Sequence, residues 1–216
     1  MLRLKSAFAS GVSRVLCLGA HCDDIEIGSA GLLMSLIDAN PKIEVRWHVF
    51  GGTEARSAET RKAAAAVLRG ASRSQVECSS HRNSFFPAAY AEIKEEIERV
   101  KRDVQPDLVL THCREDLHQD HRVVNELTWN AFRDHLVLEY EIPKYDGDIG
   151  RPNLYVPLDE TLANRKLDML MDCFPSQRER RWFTRDLFQG VMRLRGMECN
   201  SPSGLAEAFF VRKLSL

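Results

Sequence analysis

Two short stretches of the chain concentrate side chains able to bind a metal and move protons. The first is Ala20-His21-Cys22-Asp23-Asp24, and the second runs from His112 through Cys113, Arg114, Glu115, Asp116, Leu117, His118, Gln119 and Asp120 to His121. Imidazole nitrogen and carboxylate oxygen suit zinc, and a catalytic zinc site takes three protein ligands while keeping one position open. His21, Asp24 and His121 make such a His₂Asp set, for one Zn²⁺ per chain. Asp23 then lies beside the metal without binding it, free to accept a proton from water. His118 comes three residues before His121, so one helical turn or a tight loop aims both rings into one cleft. Asp120 reads as an orienter of a histidine ring, and His112 and Cys113 as packing at a strand end. Taken singly, an Asp-Asp pair after a strand is commonly a helix cap and a first-turn acid offsetting the dipole. Against that plainer account, four of the seven histidines (His21, His112, His118 and His121) fall in these two stretches.

Both stretches must be carried to one place by the fold. Each directly follows a short apolar run, Arg14 to Gly19 in one case and Leu108 to Thr111 in the other. After the first, Ile25, Ile27, Leu32, Leu33, Leu36 and Ile37 recur at helical spacing until Asn40-Pro41. Ile43 to Phe50 alternates as a strand, Gly51-Gly52 breaks it, and Ser57 to Leu68 is an alanine-rich helix ended by Gly70. Ser74 to Cys78 is a weaker strand, and Tyr90, Ile93, Ile97, Val100 and Val104 mark an amphipathic helix. Strand and helix alternating in this way predict an α/β fold, a Rossmann-like three-layer sandwich with a mostly parallel sheet. In such a sheet ligands bind beyond the carboxyl ends of the strands, where the strand order reverses. If the strands at 14–19 and 108–111 flank that reversal, the two metal-binding stretches are neighbours. Beyond residue 140 the pattern loosens into a C-terminal extension. Asp146 to Asn153 is turn-rich, Asn153 to Leu158 resembles an edge strand carrying a proline, 161–171 and 178–194 look helical, and Ala206 to Arg212 resembles a final strand. No repeat or low-complexity tract divides the chain, so residues 1–216 read as one domain.

Composition narrows the function classes. Thirty basic and thirty-one acidic side chains among 216 residues leave a net charge of −1, which speaks against general nucleic-acid binding. No run of 18 apolar residues is present to span a membrane. The opening segment is interrupted by polar residues before a signal-peptide core forms, and reads as a short leader into a buried strand. Six cysteines stand at scattered positions with no CxxC pair, the usage of free thiols in a reducing cytoplasm.

The residues also resemble a family. AHCDD followed by IEIG, and HQDH after PDLVLTH, are similar to the two signatures of the PIG-L/LmbE-like zinc-dependent N-deacetylases. Gly52-Thr53-Glu54 with Arg56 and Glu59 resembles that family's loop and following helix, and Ser176-Gln177 and Ala206-Glu207-Ala208-Phe209 match weaker C-terminal signatures. The resemblance implies zinc on His21, Asp24 and His121, Asp23 as general base, His118 supporting or protonating the transition state, and Arg56 holding sugar hydroxyls. It implies removal of an acetyl group from an amino sugar such as N-acetylglucosamine, or from its conjugate, a small-molecule substrate. One departure is Cys22, where the family usually has proline; the thiol is an adventitious ligand, an oxidation site, or a backbone substitution of little consequence. A basic run (Arg178, Arg180, Arg181, Arg185, Arg193, Arg195) reads as a solvated helical face, with an anion-binding rim for a phosphate-linked substrate as the other reading. Asn83, on the loop before Phe85-Phe86-Pro87, is a weaker candidate. Two alternatives stand beside the deacetylase: a metal-dependent hydrolase of another amide or ester, and a non-catalytic Rossmann-like nucleotide-binding module. The second lacks a G-x-G-x-x-G after the first strand. Oligomeric state, a homo-oligomer included, is left open by the sequence.

Overall fold

The computed structural model describes residues 11–215; the expected leader over residues 1–10 lies outside them. Seven strands form one sheet in the order β3-β2-β1-β4-β5-β7-β6. They are β1 (Arg14–His21), β2 (Glu44–Gly51), β3 (Arg73–Cys78), β4 (Leu108–His112), β5 (Leu136–Tyr140), β6 (Leu154–Pro157) and β7 (Ala206–Val211). The α-helices are α1 (Asp24–Ala39), α2 (Glu54–Val67), α3 (Tyr90–Asp103), α4 (Gln119–Ala131), α5 (Glu160–Cys173) and α6 (Arg185–Glu198). Strands β1 to β5 pair in parallel, while β7 is antiparallel to both β5 and β6.

The topology sets the two histidine-bearing stretches side by side. The chain builds outward from β1 through β2 to β3, then returns across to lay β4 on the other side of β1, with Val15 opposite Leu108 and Cys17 opposite Leu110. The order therefore reverses between β1 and β4, and the carboxyl ends of both strands open onto the crevice where α/β sheets bind ligands.

Each face of the sheet buries its own apolar layer. Ile25, Leu33, Trp47, Leu170 and Phe188 pack under α1, α2, α5 and α6; Leu16, Leu18, Phe50, Ile93 and Val124 pack under α3 and α4. The segment 119–140, which the sequence pattern does not assign, supplies α4 and β5. Val123, Val124, Leu127 and Ala131 share the buried face of α4, and Val137 and Leu138 are buried on β5. The helix expected over 178–194 begins later, at Arg185, and runs to Glu198. Pro175 opens a 3₁₀ turn instead, and Thr184 caps the helix by accepting the N–H of Leu187 at 3.2 Å.

Helix α1, whose first turn carries the acidic pair, is pinned from the far end of the chain. The carboxylate of Glu207 on β7 accepts the N–H groups of Gly31 and Leu32, each at 2.7 Å. Lys166 on α5 donates to Glu207 (2.6 Å) and to the carbonyl of Ile27 (2.6 Å). Gly28 lies so close to Tyr140 that a Cβ there would sit 2.3 Å from the ring. These contacts fix where α1 starts, and so where Asp23 and Asp24 stand.

Candidate metal centre

His21 is the last residue of β1, Asp24 opens α1, and His121 lies in the first turn of α4. Their facing atoms form a small triangle. His21 Nδ1 is 3.2 Å from His121 Nε2, His21 Nδ1 is 3.5 Å from Asp24 Oδ2, and His121 Nε2 is 3.6 Å from Asp24 Oδ2. Tetrahedral zinc with bonds of about 2.0–2.1 Å separates its ligand atoms by roughly 3.3–3.4 Å. The spacing of these donors is that of a tetrahedral metal site, although Asp24 Oδ2 also accepts from His21 N at 2.7 Å and lies 3.3 Å from His112 Nε2; the same side chains also group as His21, His118 and His121 and as Asp24, His112 and His121.

The second nitrogen of each histidine strengthens that fit. His21 donates from Nε2 to Asp120 Oδ2 at 2.9 Å, and His121 donates from Nδ1 to Asp116 Oδ2 at 2.8 Å. Each ring is thereby held with its other nitrogen aimed into the triangle, the arrangement that orients metal-bound imidazoles. Asp120 is itself fixed by the N–H groups of Ser84 (2.6 Å) and Phe86 (3.1 Å). Asp116 accepts from His118 N (2.8 Å) and pairs with Lys144 (3.0 Å). Asp120 was legible in the sequence as an orienter. Asp116 was not, although its place five residues before His121 in an otherwise exposed acidic stretch was a signal.

The electrostatics describe a cluster that a dication completes. Burial opposes a charge on His21, yet the carboxylates of Asp120 and Asp24 overcome it and raise its pKa to about 10. Burial and the neighbouring His112 push His121 down to about 3. Burial also works against ionising Asp24, but His121 and His112 hold its carboxyl well below the usual range.

Asp23 occupies the cap position of α1 but makes no capping bond with its side chain. Its backbone adopts φ 111°, a left-handed conformation that few residues other than glycine accept. The carboxylate instead pairs with Arg56 Nη2 at 2.8 Å. Burial, reinforced by Asp24 and opposed by Arg56, pushes its pKa up to about 7. His118 caps α4, its Nδ1 accepting the N–H of Asp120 at 3.2 Å. Burial and the charge on His21 lower its pKa, so the neutral ring keeps its proton on Nε2. Its ring stacks on His121 at 4.6 Å and meets His21 edge-on at 4.9 Å.

Arg56, on α2, reaches the same cluster but is committed within the chain. Besides Asp23 it donates to the carbonyl of Cys22, to Glu59 at 3.1 Å and to Ser176 Oγ at 3.0 Å. Ser176 in turn donates to Glu59 through Oγ (2.6 Å) and N (2.9 Å), so residues far apart in sequence clamp the guanidinium against Asp23. Cys22 points away from the triangle: its thiol donates to the carbonyl of Gly51 at 3.7 Å, and interaction with Cys78 together with burial pushes its pKa far up. His112 is fully buried, with Nε2 accepting the N–H of Ala20 at 2.9 Å, and its ring stacks on His121 at 3.9 Å. Asn83 accepts from Ser84 Oγ at 3.2 Å at the edge of the cluster. Glu26, one turn after Asp23, is buried without a partner for either oxygen, and burial keeps its carboxyl protonated well above the usual range.

The basic run of the C-terminal third does not gather at this centre. Arg178 donates to the carbonyl of Met171, Arg185 pairs with Asp168 at 2.6 Å, and Arg195 is buried between Glu141 and Glu198.

Comparison with known proteins agrees with the fold. The family model described as PIG-L, GlcNAc-PI de-N-acetylase, matches residues 16–132. No curated protein sequence matches the chain. The structure is similar to N,N'-diacetylchitobiose deacetylase from Pyrococcus horikoshii, with a TM-score of 0.75 at 19% identity over 98% of this chain and 87% of that one. It is similar to the zinc-inhibited form of a teicoplanin deacetylase, with a TM-score of 0.70 at 12% identity over 92% and 97% of the two chains. It is also similar to 4-carboxy-2-hydroxymuconate hydratase from Pseudomonas putida KT2440, with a TM-score of 0.68 at 14% identity over 94% and 98%. One fold thus carries both deacetylases and a hydratase, and the reaction has to be argued from the site.

Proposed function

The chain belongs to the PIG-L family, and from that premise we propose that it is a zinc-dependent N-deacetylase acting on an amino sugar or its conjugate. The observation that carries the reading is the triangle of His21 Nδ1, Asp24 Oδ2 and His121 Nε2, 3.2–3.6 Å on a side, with Asp23 beside it. Zinc bound by these donors supplies a Lewis acid that polarises the amide carbonyl.

The remaining steps fall to the protein's own groups. The carboxylate of Asp23, its pKa raised to about 7 by burial, takes a proton from the water attacking the amide carbon and returns it to the departing amine. Arg56 holds Asp23 in place for that transfer. His118 presents an N–H from Nε2 to the oxyanion of the tetrahedral intermediate. Asp120 and Asp116 keep His21 and His121 in the tautomers that leave a lone pair inside the triangle. The contact of Arg56 with sugar hydroxyls belongs to this reading as well, made by whatever donor capacity its clamp leaves. Residues 1–216 act as one domain in it, in keeping with the single sheet of seven strands among the described residues, and six free cysteines fit a reducing cytoplasm. Among the described residues no helix is long and apolar enough to cross a membrane.

The test is a screen of N-acetylated sugars, free and phosphate-linked, for amine release by protein of measured metal content. About one zinc per chain and metal-dependent release of acetate are expected. Stoichiometric zinc with no amine released from any N-acetyl sugar, alongside hydrolysis or hydration of another substrate, overturns the assignment of reaction while leaving the metal site intact.

A further inference from the structure

On the outer side of α4, a recess of about 470 Å³ is formed by that helix, the loop after β4 and the residue following β7. Arg114, Arg122, Arg133 and Arg212 line it, with Trp129 and Asn125. We propose that this recess is a binding site for a phosphate-bearing ligand.

The floor is rigid. Trp129 Nε1 donates to Glu139 Oε1 at 2.5 Å, and Arg212 lies over the indole with its guanidinium carbon 4.5 Å from the ring centroid. Arg212 also pairs with Glu139 and donates to Asn125 Oδ1 at 3.0 Å. Asn125 ties this floor to the end of β4 by donating to the carbonyl of His112 at 2.6 Å. Since Glu139 neutralises Arg212, the charge that matters comes from the rim.

There three arginines outnumber one carboxylate. Among the described residues Arg114, Arg122 and Arg133 have no ion-pair partner. Arg122 donates to the carbonyl of Leu117 (2.5 Å) and Arg133 to the amide oxygen of Asn130 (3.4 Å). Glu126, the carboxylate among the lining residues, accepts from Tyr90 at 2.8 Å and offsets one of these charges, leaving a net positive rim. Lys213 adds a further cation 5.5 Å from the Trp129 ring. Converging cations repel one another, and a concave surface focuses their field on whatever anion enters. Guanidinium forks match phosphate oxygens bidentately, which favours phosphate over a single carboxylate. The face of Trp129 is already covered by Arg212, so recognition rests on the anion and not on stacking of an aromatic group. Arg122 follows His121 directly, placing the recess about 100° round α4 from the metal ligands.

The experiment is calorimetric titration of the full chain with glucose 1,6-bisphosphate, with glucose as the comparison, and co-sedimentation with phosphatidylcholine vesicles containing phosphatidic acid. Saturable binding of the bisphosphate and none of glucose is expected. The double variant Arg114→Ala/Arg133→Ala should weaken it at least about tenfold at unchanged melting temperature. The variant Arg180→Ala/Arg181→Ala, in the other basic run, should leave it intact. Sedimentation lost in the Arg114/Arg133 variant supports the site and identifies a lipid headgroup as the source; bisphosphate binding without sedimentation supports it and identifies a soluble phosphate. Absence of binding in both arms, or binding that survives Arg114→Ala/Arg133→Ala, overturns the proposal.

Discussion

Replacing Asp116 with Asn probes how far the carboxylates behind the histidines govern the metal centre. Asp116 Oδ2 accepts from His121 Nδ1 (2.8 Å) and lies 3.0 Å from Lys144 Nζ, while its other oxygen accepts from His118 N (2.8 Å). An asparagine has one oxygen for these three donors. If its NH₂ faces His121, the ring must accept at Nδ1 and carry its proton on Nε2, which blocks the lone pair aimed at Asp24. If the NH₂ faces His118 N, two donors oppose each other in the turn that caps α4. Either way a charge-assisted bond of ~1.5–3 kcal/mol is lost, equivalent to roughly ten- to a hundred-fold in metal affinity, the usual scale for such partners. Zinc affinity measured by competition with a chromophoric chelator should fall by that factor, with turnover largely recovered at saturating zinc. Asp107→Asn is the control, because Asp107 binds Ser13 N and Arg14 N at the other end of β1 (3.0 and 2.8 Å) and should leave zinc affinity unchanged. Equal zinc affinity in wild type and Asp116→Asn would refute the argument that these carboxylates set the histidine tautomers.

Asp23→Asn should retain zinc and lower turnover by about 10² or more; comparable loss of metal and activity would make Asp23 a ligand. Glu207→Gln strands the buried ammonium of Lys166 and should destabilise the fold by ~3–5 kcal/mol, read as a lower midpoint in denaturant; an unchanged midpoint would remove the role assigned to Glu207 in pinning α1. Glu96 accepts from His48 and His81 at 2.9 Å each, and these bonds, with Ser79, overcome burial and lower its pKa to about 2. A carboxyl depressed in the folded state stabilises above its unfolded value of about 4.3 and loses that contribution as pH falls through the folded value. The melting-temperature gap between wild type and Glu96→Gln should therefore be open at pH 7 and close between about pH 4 and pH 2; a constant gap would contradict the linkage.

The first half of the fold was legible because its signals are local. Short apolar runs stopped by Pro41, Gly51-Gly52 and Gly70 mark β1, α1, β2 and α2 within a few residues; the β1–β4 adjacency, which alternation leaves conditional, is supplied by the strand order of the sheet. What eluded the pattern depends on partners distant in sequence. Helix α4 begins at His118, a residue with little intrinsic capping preference, which serves because its Nδ1 accepts from Asp120. The start of α6 at Arg185 depends on Thr184, hidden within a run of arginines that itself reads as helical. Within the site, His21, Asp23, Asp24, His118, Asp120 and His121 could be singled out by type and spacing. Asp116 could not, since nothing in the sequence says which ring it backs. For Arg56, position told where it would point but not that Asp23, Glu59 and Ser176 would already hold it.

The clamp on Arg56 bears on why the C-terminal third is needed at all. The family match ends at residue 132, and every residue of the triangle precedes that point. Yet several of the residues that hold the site come from beyond it. Lys144 pairs with Asp116, Ser176 bonds both Arg56 and Glu59, and Lys166 and Glu207 fix the backbone of α1. Asp23 is the residue with most to lose from slack here. Its left-handed backbone costs of order 1–3 kcal/mol and persists only where the surroundings over-determine it, and the same surroundings must keep a buried carboxylate beside a guanidinium and not in the cap of α1. A helix start free to relax would let Asp23 return to an ordinary capping geometry and turn away from Arg56. The C-terminal third contributes no donor to the triangle, and its contacts with Arg56, Glu59 and α1 oppose that relaxation of Asp23.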